Sequence, residues 1–525
     1  MKKAVVSVLL CAAAAAFISG VPAFAQVAPP KANTVQTGTS ADYQATRQYY
    51  DSLIAGPSPN LAALTLLMTM MPKGGDLHHH YSGAIYVETY LDWVKQKAYC
   101  IYRADNAEFK AVKFRIETKS GGLNAAARAL CLDVDQVRDP AHNVFYRELL
   151  SRWSDKDYRN HSQQQVAPDE HFFDTFGYFG SFSDDDDNQG LRLLKKRAIA
   201  ENVQYIETML RSAPAPDNPT LSKAVNELPA NASRAQVEAA LAPFYEFLIR
   251  DAATAKGVAD YLDSVDAAAA GIDDGDFKMR YQAYVVRSEA PAKVFAGLYS
   301  AFVAVNARRR VVAVNIVGPE NGIVAMRDYS LHMRMFAFLK RKYPDVRLAL
   351  HAGELTLGMV PPEGLQSHVR EAVEVAGAER IGHGVDIVYE RDAVGLLRTM
   401  RERRVAVEIN LTSNAFILGV KNEAHPVQVY RQLGVPFVIS TDDPGVSRNN
   451  LSGEYVLYAS RYKPSYDALK ETVFNSIRYS FLSDAEKTAE LSGLAQRFAV
   501  FEARGRELAN GAPAGISAGA PGARK

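Results

Sequence analysis

The chain has 525 residues, enough for one large barrel or for two to three ordinary domains. Its composition, 48% hydrophobic and 23% charged residues, is typical of a globular protein and excludes a disordered, collagen-like or coiled-coil chain. Lysine and arginine number 60 against 59 aspartates and glutamates, so no strong field favours a nucleic acid or an anionic membrane as a partner.

The first 25 residues have the pattern of a cleavable export signal. Lys2 and Lys3 precede an apolar run, and Ala23-Phe24-Ala25 matches an A-x-A cleavage site. The alternative is a membrane anchor, but the run is shorter than the roughly 20 residues that a spanning helix needs. We therefore expect cleavage after Ala25 and export of the mature protein to the periplasm or the extracellular space, with no membrane attachment.

The predicted export determines which cysteines remain in the mature chain and whether they can form a disulfide. Cys11 lies in the predicted signal, which leaves Cys100 and Cys131 in the mature chain. Two cysteines in an oxidising compartment can form a disulfide. Two separate buried thiols are the alternative, and the sequence favours neither.

Composition divides the rest of the chain into three parts. Residues 26–70 should form a leader rich in Pro, Thr, Ser and Ala, followed by a helical extension from about residue 43. Residues 506–525 are rich in Gly, Ala and Pro, which predicts a disordered tail. Residues 71–505 between them should form the main domain.

Short apolar runs that end in polar residues recur through this domain. Helix-like stretches, such as 329–342 and 392–403, separate most of them. Continuous apolar runs are typical of buried parallel strands, and eight of them alternating with helices predict an α/β fold, a (β/α)8 TIM barrel. A three-layer sheet is the alternative, but the count of eight and the polar strand ends favour the barrel. The predicted strands are 76–78, 203–207, 282–287, 311–317, 347–351, 380–383, 405–410 and 437–441.

Extra length follows the first two predicted strands. The longer insertion covers about residues 85–200, and a shorter one of about 70 residues separates the second and third strands. Both follow the carboxyl ends of strands, the face where barrel enzymes hold their active sites, so we expect both to roof the site. The longer one contains Asp184–Asp187, which we interpret as a solvated acidic loop, with a calcium site as the alternative.

Four of the eleven histidines lie at predicted strand ends. His78 and His80 alternate on the first strand and so point the same way, while His351 and His383 end the fifth and sixth strands. The eighth strand ends in Ser440 and Thr441, and Asp442 and Asp443 follow directly. All of these ends meet at one face of a barrel, which predicts a polar cluster there.

Three imidazoles and a carboxylate are ligands that suit zinc. His78, His80, His351 and Asp442 would supply them, and a water in the remaining position would have its pKa lowered towards neutrality. Glu354 and His383 remain as acid–base groups for hydrolytic attack on an unsaturated carbon. The fourth predicted strand offers no lysine or glutamate to bridge a second ion, and Glu320 lies beyond its end, so we favour one metal over two.

These motifs resemble those of the adenosine deaminase family of metal-dependent amidohydrolases, over about residues 71–500. The export signal, the helical extension and the long insertion resemble the exported, growth-factor-related branch of that family. Glu408 to Asn414 is also similar, although Ile409 and Asn410 replace a Cys-Pro often found there. The motifs that carry the resemblance are MPK at 71–73, LHHHYSGA at 77–84, HAGE at 351–354, GHG at 382–384 and TDDP at 441–444.

The resemblance implies one Zn²⁺ per chain and a small-molecule nucleoside as substrate. Glu354 would protonate purine N1, so that C6 accepts the attacking oxygen. His383 would orient the zinc-bound water and take its proton, and Asp442 could also accept it. Asp443 would bond purine N7, and the Gly318 N–H would meet N3, where the missing side chain allows close approach. The products would be inosine and ammonia, and the N-terminal extension is a candidate homodimer interface.

One position departs from the family pattern. The motif after the first strand usually continues Leu-Asp-Gly, and its aspartate contacts the ribose 5′-hydroxyl; here the residues are Tyr81-Ser82-Gly83. Adenosine, with 2′-deoxyadenosine, is therefore the expected substrate, and another 6-aminopurine is the alternative: a 5′-modified adenosine, adenine, or AMP, for which no phosphate clamp is recognisable. A different amidohydrolase and a non-catalytic secreted nucleoside-binding protein are further alternatives.

Overall fold

The computed structural model describes residues 40–106, 111–119, 123–155, 167–180, 183 and 186–511. The predicted signal at 1–25, the leader up to residue 39 and most of the predicted tail lie outside these ranges. Among the helices within them, none is both long enough and apolar enough to cross a membrane.

Ten strands occur in the described ranges, and eight of them form the barrel. Two arcs of parallel strands run in the orders β1-β4-β5-β6 and β10-β9-β8-β7. Parallel bridges between Val314 and Leu348 and between His79 and Asp442 join the arcs at both seams, which closes the barrel. The predicted (β/α)8 fold is confirmed. The strands are β1 (Gly74–His80), β2 (Cys100–Asn106), β3 (Ala111–Glu117), β4 (Val203–Ser212), β5 (Lys278–Val286), β6 (Val311–Val317), β7 (Ala349–Ala352), β8 (Arg380–His383), β9 (Ala406–Ile409) and β10 (Phe437–Ile439).

Helices surround the barrel and build both ends of the described chain. The predicted helices at 329–342 and 392–403 lie within α14 and at α16, where the Asp392 side chain accepts the first N-cap hydrogen bond. The helices are α1 (Ala41–Ile54), α2 (Leu61–Met70), α3 (Tyr81–Ala84), α4 (Val87–Gln96), α5 (Ala125–Ala129), α6 (Val134–Arg138), α7 (Asn143–Arg152), α8 (Pro168–Phe179), α9 (Asp187–Ala200), α10 (Pro219–Asn226), α11 (Arg234–Arg250), α12 (Ala252–Ala268), α13 (Pro291–Asn306), α14 (Ile323–Lys342), α15 (His368–Glu371), α16 (Ala393–Arg403), α17 (Leu411–Ile417), α18 (Val427–Gln432), α19 (Pro444–Ser447), α20 (Leu451–Tyr462), α21 (Tyr466–Arg478) and α22 (Asp484–Gly511).

The strands are short and buried, which explains why they read as continuous apolar runs. Every residue of β7, β8, β9 and β10 is buried, because helices cover the outer surface of the barrel while side chains fill its interior. Alternation of polar and apolar residues is therefore weak, and polar residues concentrate at the carboxyl ends. This distribution directs polar side chains to one face of the barrel.

The N-terminal extension packs on the C-terminal helix of the same chain. The Gly-Pro-Ser-Pro sequence at 56–59 separates α1 from α2. The Thr46 hydroxyl of α1 donates to the Glu502 carbonyl at 2.8 Å, and Arg506 pairs with Asp42 at 2.9 Å. The predicted tail boundary is wrong by six residues, because α22 continues to Gly511 along this contact. Residues 506–511 are helical.

The first insertion contains α4 to α9 and the antiparallel hairpin of β2 and β3. Cys100 and Cys131 form a disulfide within it, with a Cα–Cα distance of 5.5 Å, so pairing is the alternative that the structure adopts. The Asp155 N–H donates to the Val446 carbonyl at 3.0 Å, and α8 packs against α17. These contacts lie at the ends of β10 and β9, so this insertion covers the expected face.

The second insertion lies elsewhere. Its helices α10, α11 and α12 pack against α13 and α14, on the outer helical layer of the barrel. The prediction that both insertions roof the site is therefore wrong for this one. The length of an insertion does not predict where it packs, because a segment that leaves a strand end can cover the active-site face or pack on the outer helices.

The acidic run at 184–187 has two described residues. Asp186 caps α9 by accepting the Gln189 N–H at 3.0 Å, and the buried Asp187 pairs with Arg211. Neither belongs to a group of metal-binding side chains among the described residues. Asp187 therefore stabilises the fold from a buried position, in contrast to the solvated loop that the sequence suggests.

Candidate active site

The ends of four barrel strands bring five predicted site residues into contact. Asp442 Oδ1 lies 3.3 Å from His78 Nε2 and 3.3 Å from His80 Nε2. His351 Nε2 lies 3.2 Å from His80 Nε2, and His383 Nε2 lies 3.9 Å from Asp442 Oδ2. All five side chains are buried except that of His80, which is partly exposed. The predicted cluster therefore forms.

The spacing of these atoms fits one metal ion. Two ligand atoms held at the usual zinc distances around a tetrahedron lie about 3.3 Å apart, which matches the separations from Asp442 and between His80 and His351. The buried His78 Nε2 atom makes no hydrogen bond to any described residue. His78, His351, His383 and Asp442 form one group of metal-binding side chains, and His80, Asp442 and Asp443 form another that shares Asp442. The predicted ligands therefore lie where a metal ion could bind, with His383 close enough to join them.

Buried partners behind the imidazoles set their orientation. His78 Nδ1 lies 2.7 Å from the Glu408 carboxylate, and His351 Nδ1 lies 2.9 Å from Asn315 Oδ1. Both partners accept, so both Nδ1 atoms carry the proton and both Nε2 lone pairs face the cluster. Arg380 forms an ion pair with Glu408 at 2.5 Å and a second one with Glu207 at 2.6 Å. These roles were not predicted, although Glu207, Arg380 and Glu408 are ionisable residues inside predicted strands, which is a signal visible in the sequence.

The backbone at two strand ends is unusual. His383 and Asp442 have φ of +72° and +66°, the left-handed region that few residues other than glycine adopt. Each such residue costs about 1–3 kcal/mol and persists only where its surroundings enforce it. Beside them, a Cβ on Gly382 would lie 2.6 Å from the His78 ring, so only glycine fits there. The fold stores strain to place these side chains.

Glu354 has the environment of a proton donor. Its carboxyl is buried, and Oε1 lies 3.5 Å from His383 Nε2. Burial raises the pKa of Glu354 well above its usual value, and the nearby Asp442 and Glu320 raise it further, which favours the protonated carboxyl. Burial also lowers the pKa of His383 to about 3, which keeps this imidazole neutral.

Glu320 holds the turn that carries Glu354. Its two carboxylate oxygens accept the backbone N–H groups of Gly353 and Glu354 at 3.0 and 2.9 Å. Burial alone would raise the pKa of Glu320, but Arg287 and His368 outweigh it and lower the pKa to about 2. Glu320 is therefore an anion that fixes the position of the donor. This role of Glu320 was not predicted, because its place after the fourth predicted strand suggested only a possible metal bridge.

The predicted substrate-binding residues follow three different barrel strands: Ser82 follows β1, Gly318 follows β6 and Asp443 follows β10. Burial and the neighbouring Asp442 raise the pKa of Asp443 well above its usual value, which favours a protonated carboxyl that could donate to a ring nitrogen. Gly318 follows β6 with φ of +101°, a backbone conformation that favours glycine. The predicted close approach of a purine to its N–H is a second reason for glycine at this position. Ser82 lies on α3, directly after β1, and is half-buried.

Comparison with known proteins gives a family match. The family model described as "Adenosine deaminase" matches residues 224–497, just over half of the chain. The match includes Glu354, His383 and the TDDP motif, while His78, His80 and Ser82 lie before it.

Curated relatives and solved structures agree with this match. Adenosine deaminase from Escherichia coli is 31% identical over 183 residues, and that from Clostridium perfringens 32% over 179. These alignments cover 35% and 34% of this chain, and the chain spans about half the length of each relative. The structure of N6-methyl-AMP deaminase from Arabidopsis thaliana superposes with a TM-score of 0.51 at 16% identity, covering 84% of this chain and 99% of that one. This last likeness concerns the fold.

Proposed function

The chain belongs to the adenosine deaminase family, and on that premise we propose that it hydrolyses adenosine, and 2′-deoxyadenosine, to the inosine product and ammonia with the aid of zinc. The observation that carries the proposal is the pairing of two features at one face. A cluster of three histidines and Asp442 that could hold a metal lies beside the buried Glu354, whose pKa is raised by that burial. A binding protein has no need of that pairing.

His78, His80, His351 and Asp442 would hold one zinc ion, which when bound supplies Lewis acidity and lowers the pKa of a water towards neutrality. The protein supports this set through Glu408 and Asn315, which leave the imidazole lone pairs facing inwards.

The remaining steps belong to side chains. Glu354 donates its proton to purine N1, which weakens the aromaticity of the ring and makes C6 electrophilic. His383 and Asp442, 3.9 Å apart, hold the attacking water between them, and its proton passes to one of them. Asp443 donates to N7 and the Gly318 N–H faces N3, so a purine is held by both edges of its ring system.

The ribose end supports a second candidate. Ser82 can offer a neutral hydrogen bond where the family pattern has a charged one, so a deaminase of another 6-aminopurine, such as a 5′-modified adenosine, is the alternative. A panel of adenosine, 5′-deoxyadenosine, adenine and AMP separates the two. Guanosine and cytidine should not react, because neither carries an amino group at a purine C6.

The proposal includes an exported location and a homodimer. The predicted export signal supports a periplasmic or extracellular enzyme, and the disulfide between Cys100 and Cys131 is compatible with an oxidising compartment. The N-terminal extension remains the proposed homodimer interface.

The test is ultraviolet detection of adenosine turnover by the purified, zinc-loaded protein. Conversion of adenosine to inosine supports the proposal. If adenosine binds but neither it nor any other 6-aminopurine is converted, the protein is a binding protein.

A further inference from the structure

A row of hydrogen bonds connects a backbone amide to the acid–base histidine. The Val427 N–H donates to His425 Nδ1 at 3.2 Å, and His425 Nε2 lies 3.0 Å from Asn414 Oδ1. Asn414 Nδ2 in turn lies 2.9 Å from His383 Nδ1. His425, Asn414 and His383 are at most 2% exposed, so water does not compete for these contacts.

The direction of every bond in this row follows from its first member. A backbone N–H can only donate, so His425 Nδ1 accepts and the proton of this neutral ring lies on Nε2. Burial lowers the pKa of His425 to about 3, in agreement with a neutral ring. His425 therefore donates to Asn414 Oδ1, which turns the amide nitrogen of Asn414 towards His383. A flipped amide would place two donors face to face.

His383 Nδ1 therefore accepts a hydrogen bond, and its single proton lies on Nε2. That nitrogen faces the site between Glu354 Oε1 at 3.5 Å and Asp442 Oδ2 at 3.9 Å. Asn410 Nδ2 also points at His383 Nδ1, at a longer distance of 3.4 Å, with the same polarity.

We propose that Asn414 and His425 are positioning residues that hold His383 as its Nε2–H tautomer, so that His383 donates a hydrogen bond to the attacking water and does not take its proton. The inference rests on the proposed function. It narrows the role that the family resemblance implies for His383, which was to accept that proton.

The protons then balance without His383. In the addition step, the water oxygen forms the bond to C6, the water proton passes to Asp442, and the electron pair of the C6–N1 π bond takes up the proton that Glu354 gives to N1. In the elimination step, Asp442 gives its proton to the amino group, the C6–N bond breaks with release of ammonia, and the C6 hydroxyl proton passes to Glu354 as the carbonyl forms. His383 keeps its own proton in both steps and orients the water by donating to its oxygen.

Asn414→Asp is the decisive variant. Aspartate has the same shape but only acceptor atoms, so it should draw the His383 proton to Nδ1 and leave a lone pair on Nε2. We expect kcat for adenosine to fall by about 10²–10⁴-fold with a much smaller change in KM, the scale seen when a catalytic histidine is held in the wrong tautomer. Asn414→Ala removes the constraint without reversing it, so its loss should be smaller. Ser413→Ala, on the same helix, is the control and should match wild type.

A spectroscopic measurement makes the test independent of activity and of any folding defect in the variants. Histidine labelled with ¹⁵N in the full-length, zinc-loaded protein gives long-range ¹H–¹⁵N spectra that distinguish the two tautomers, and His383→Asn identifies the His383 signals. Wild type should show Nε2–H at His383 and Asn414→Asp should show Nδ1–H.

A wild-type His383 protonated on Nδ1 would overturn the proposal, as would wild-type kcat in an Asn414→Asp protein whose tautomer has reversed. Equal losses in Asn414→Asp and Asn414→Ala with an unchanged tautomer would also overturn it. An Nε2–H wild type that converts no 6-aminopurine supports the positioning of His383 but refutes the proposed function.

Discussion

The metal-ligand cluster and the acid–base pair adjoin each other but are supported by different parts of the fold. The ligand imidazoles are held from within the barrel, by Glu408 on β9 and Asn315 on β6. Glu354 is held by Glu320 from the loop after β6, and His383 by Asn414 on the short helix α17. Strands fix the metal geometry, whereas loops and short helices fix the protons.

This contrast explains which changes should affect metal and which should affect chemistry alone. Damage to the metal ligands, or to Glu408 and Asn315 behind them, should reduce zinc binding and, through it, activity. Damage to Glu354 and His383, or to Glu320 and Asn414 behind them, should leave zinc in place and slow the chemical step. The predictions below separate the two.

The largest effect should come from His351→Ala on the metal side. Removing one of three imidazoles leaves too few ligands for a closed site, so zinc and activity should both be lost. Metal analysis and turnover of adenosine measure the two outcomes. His142→Ala, a histidine of the insertion outside the cluster, is the control. A His351→Ala protein that keeps both zinc and activity would remove His351 from the ligand set.

Glu354→Gln should separate chemistry from metal binding. Glutamine keeps the shape but has no acidic proton, so kcat should fall by at least about 10²-fold while zinc stays at the wild-type level. The exposed Glu363→Gln, on the turn after β7, should behave as wild type. Near-normal kcat in Glu354→Gln would exclude it as the proton donor.

Glu408→Gln should weaken the metal site from behind. The substitution replaces the anion that bonds both His78 Nδ1 and Arg380, so zinc affinity should fall by about 10–100-fold. Activity should recover in part at high zinc, which distinguishes this variant from Glu354→Gln. Competition with a chelator measures the affinity, and Glu402→Gln on the exposed side of α16 is the control. Unchanged affinity would mean that Glu408 serves folding alone.

The smallest effect should be at the ribose end. A neutral hydrogen bond from Ser82 is weaker than a charged one, so wild type should prefer adenosine over 5′-deoxyadenosine by only about tenfold in kcat/KM. Ser82→Asp should widen that preference. A strong preference in wild type that the substitution leaves unaltered would assign ribose recognition to another residue.

The sequence allowed the strands and the metal ligands to be predicted for the same reason. Apolar runs mark buried strands, and polar residues at their ends must meet at one face once the barrel closes, so His351 and Asp442 could be placed together from local pattern alone. Glu207 and Arg380 could not be paired in this way, because they lie 173 residues apart and only the closed barrel brings them together.

The supports of the acid–base pair were harder to predict. Asn414 and His425 lie on separate elements, and their polarity depends on the Val427 amide, whose direction no sequence pattern gives. The tail boundary failed for a similar reason, since α22 packs against α1 and continues to Gly511, six residues into the predicted tail. Tertiary contacts override composition there.

The most direct test of the account is a zinc titration of the metal-free protein, with adenosine deamination measured at each step. We predict no activity without metal, a linear rise with added zinc, and saturation at one zinc per chain. Full activity in the metal-free protein would contradict the central claim, and saturation at two ions per chain would contradict the single-metal site.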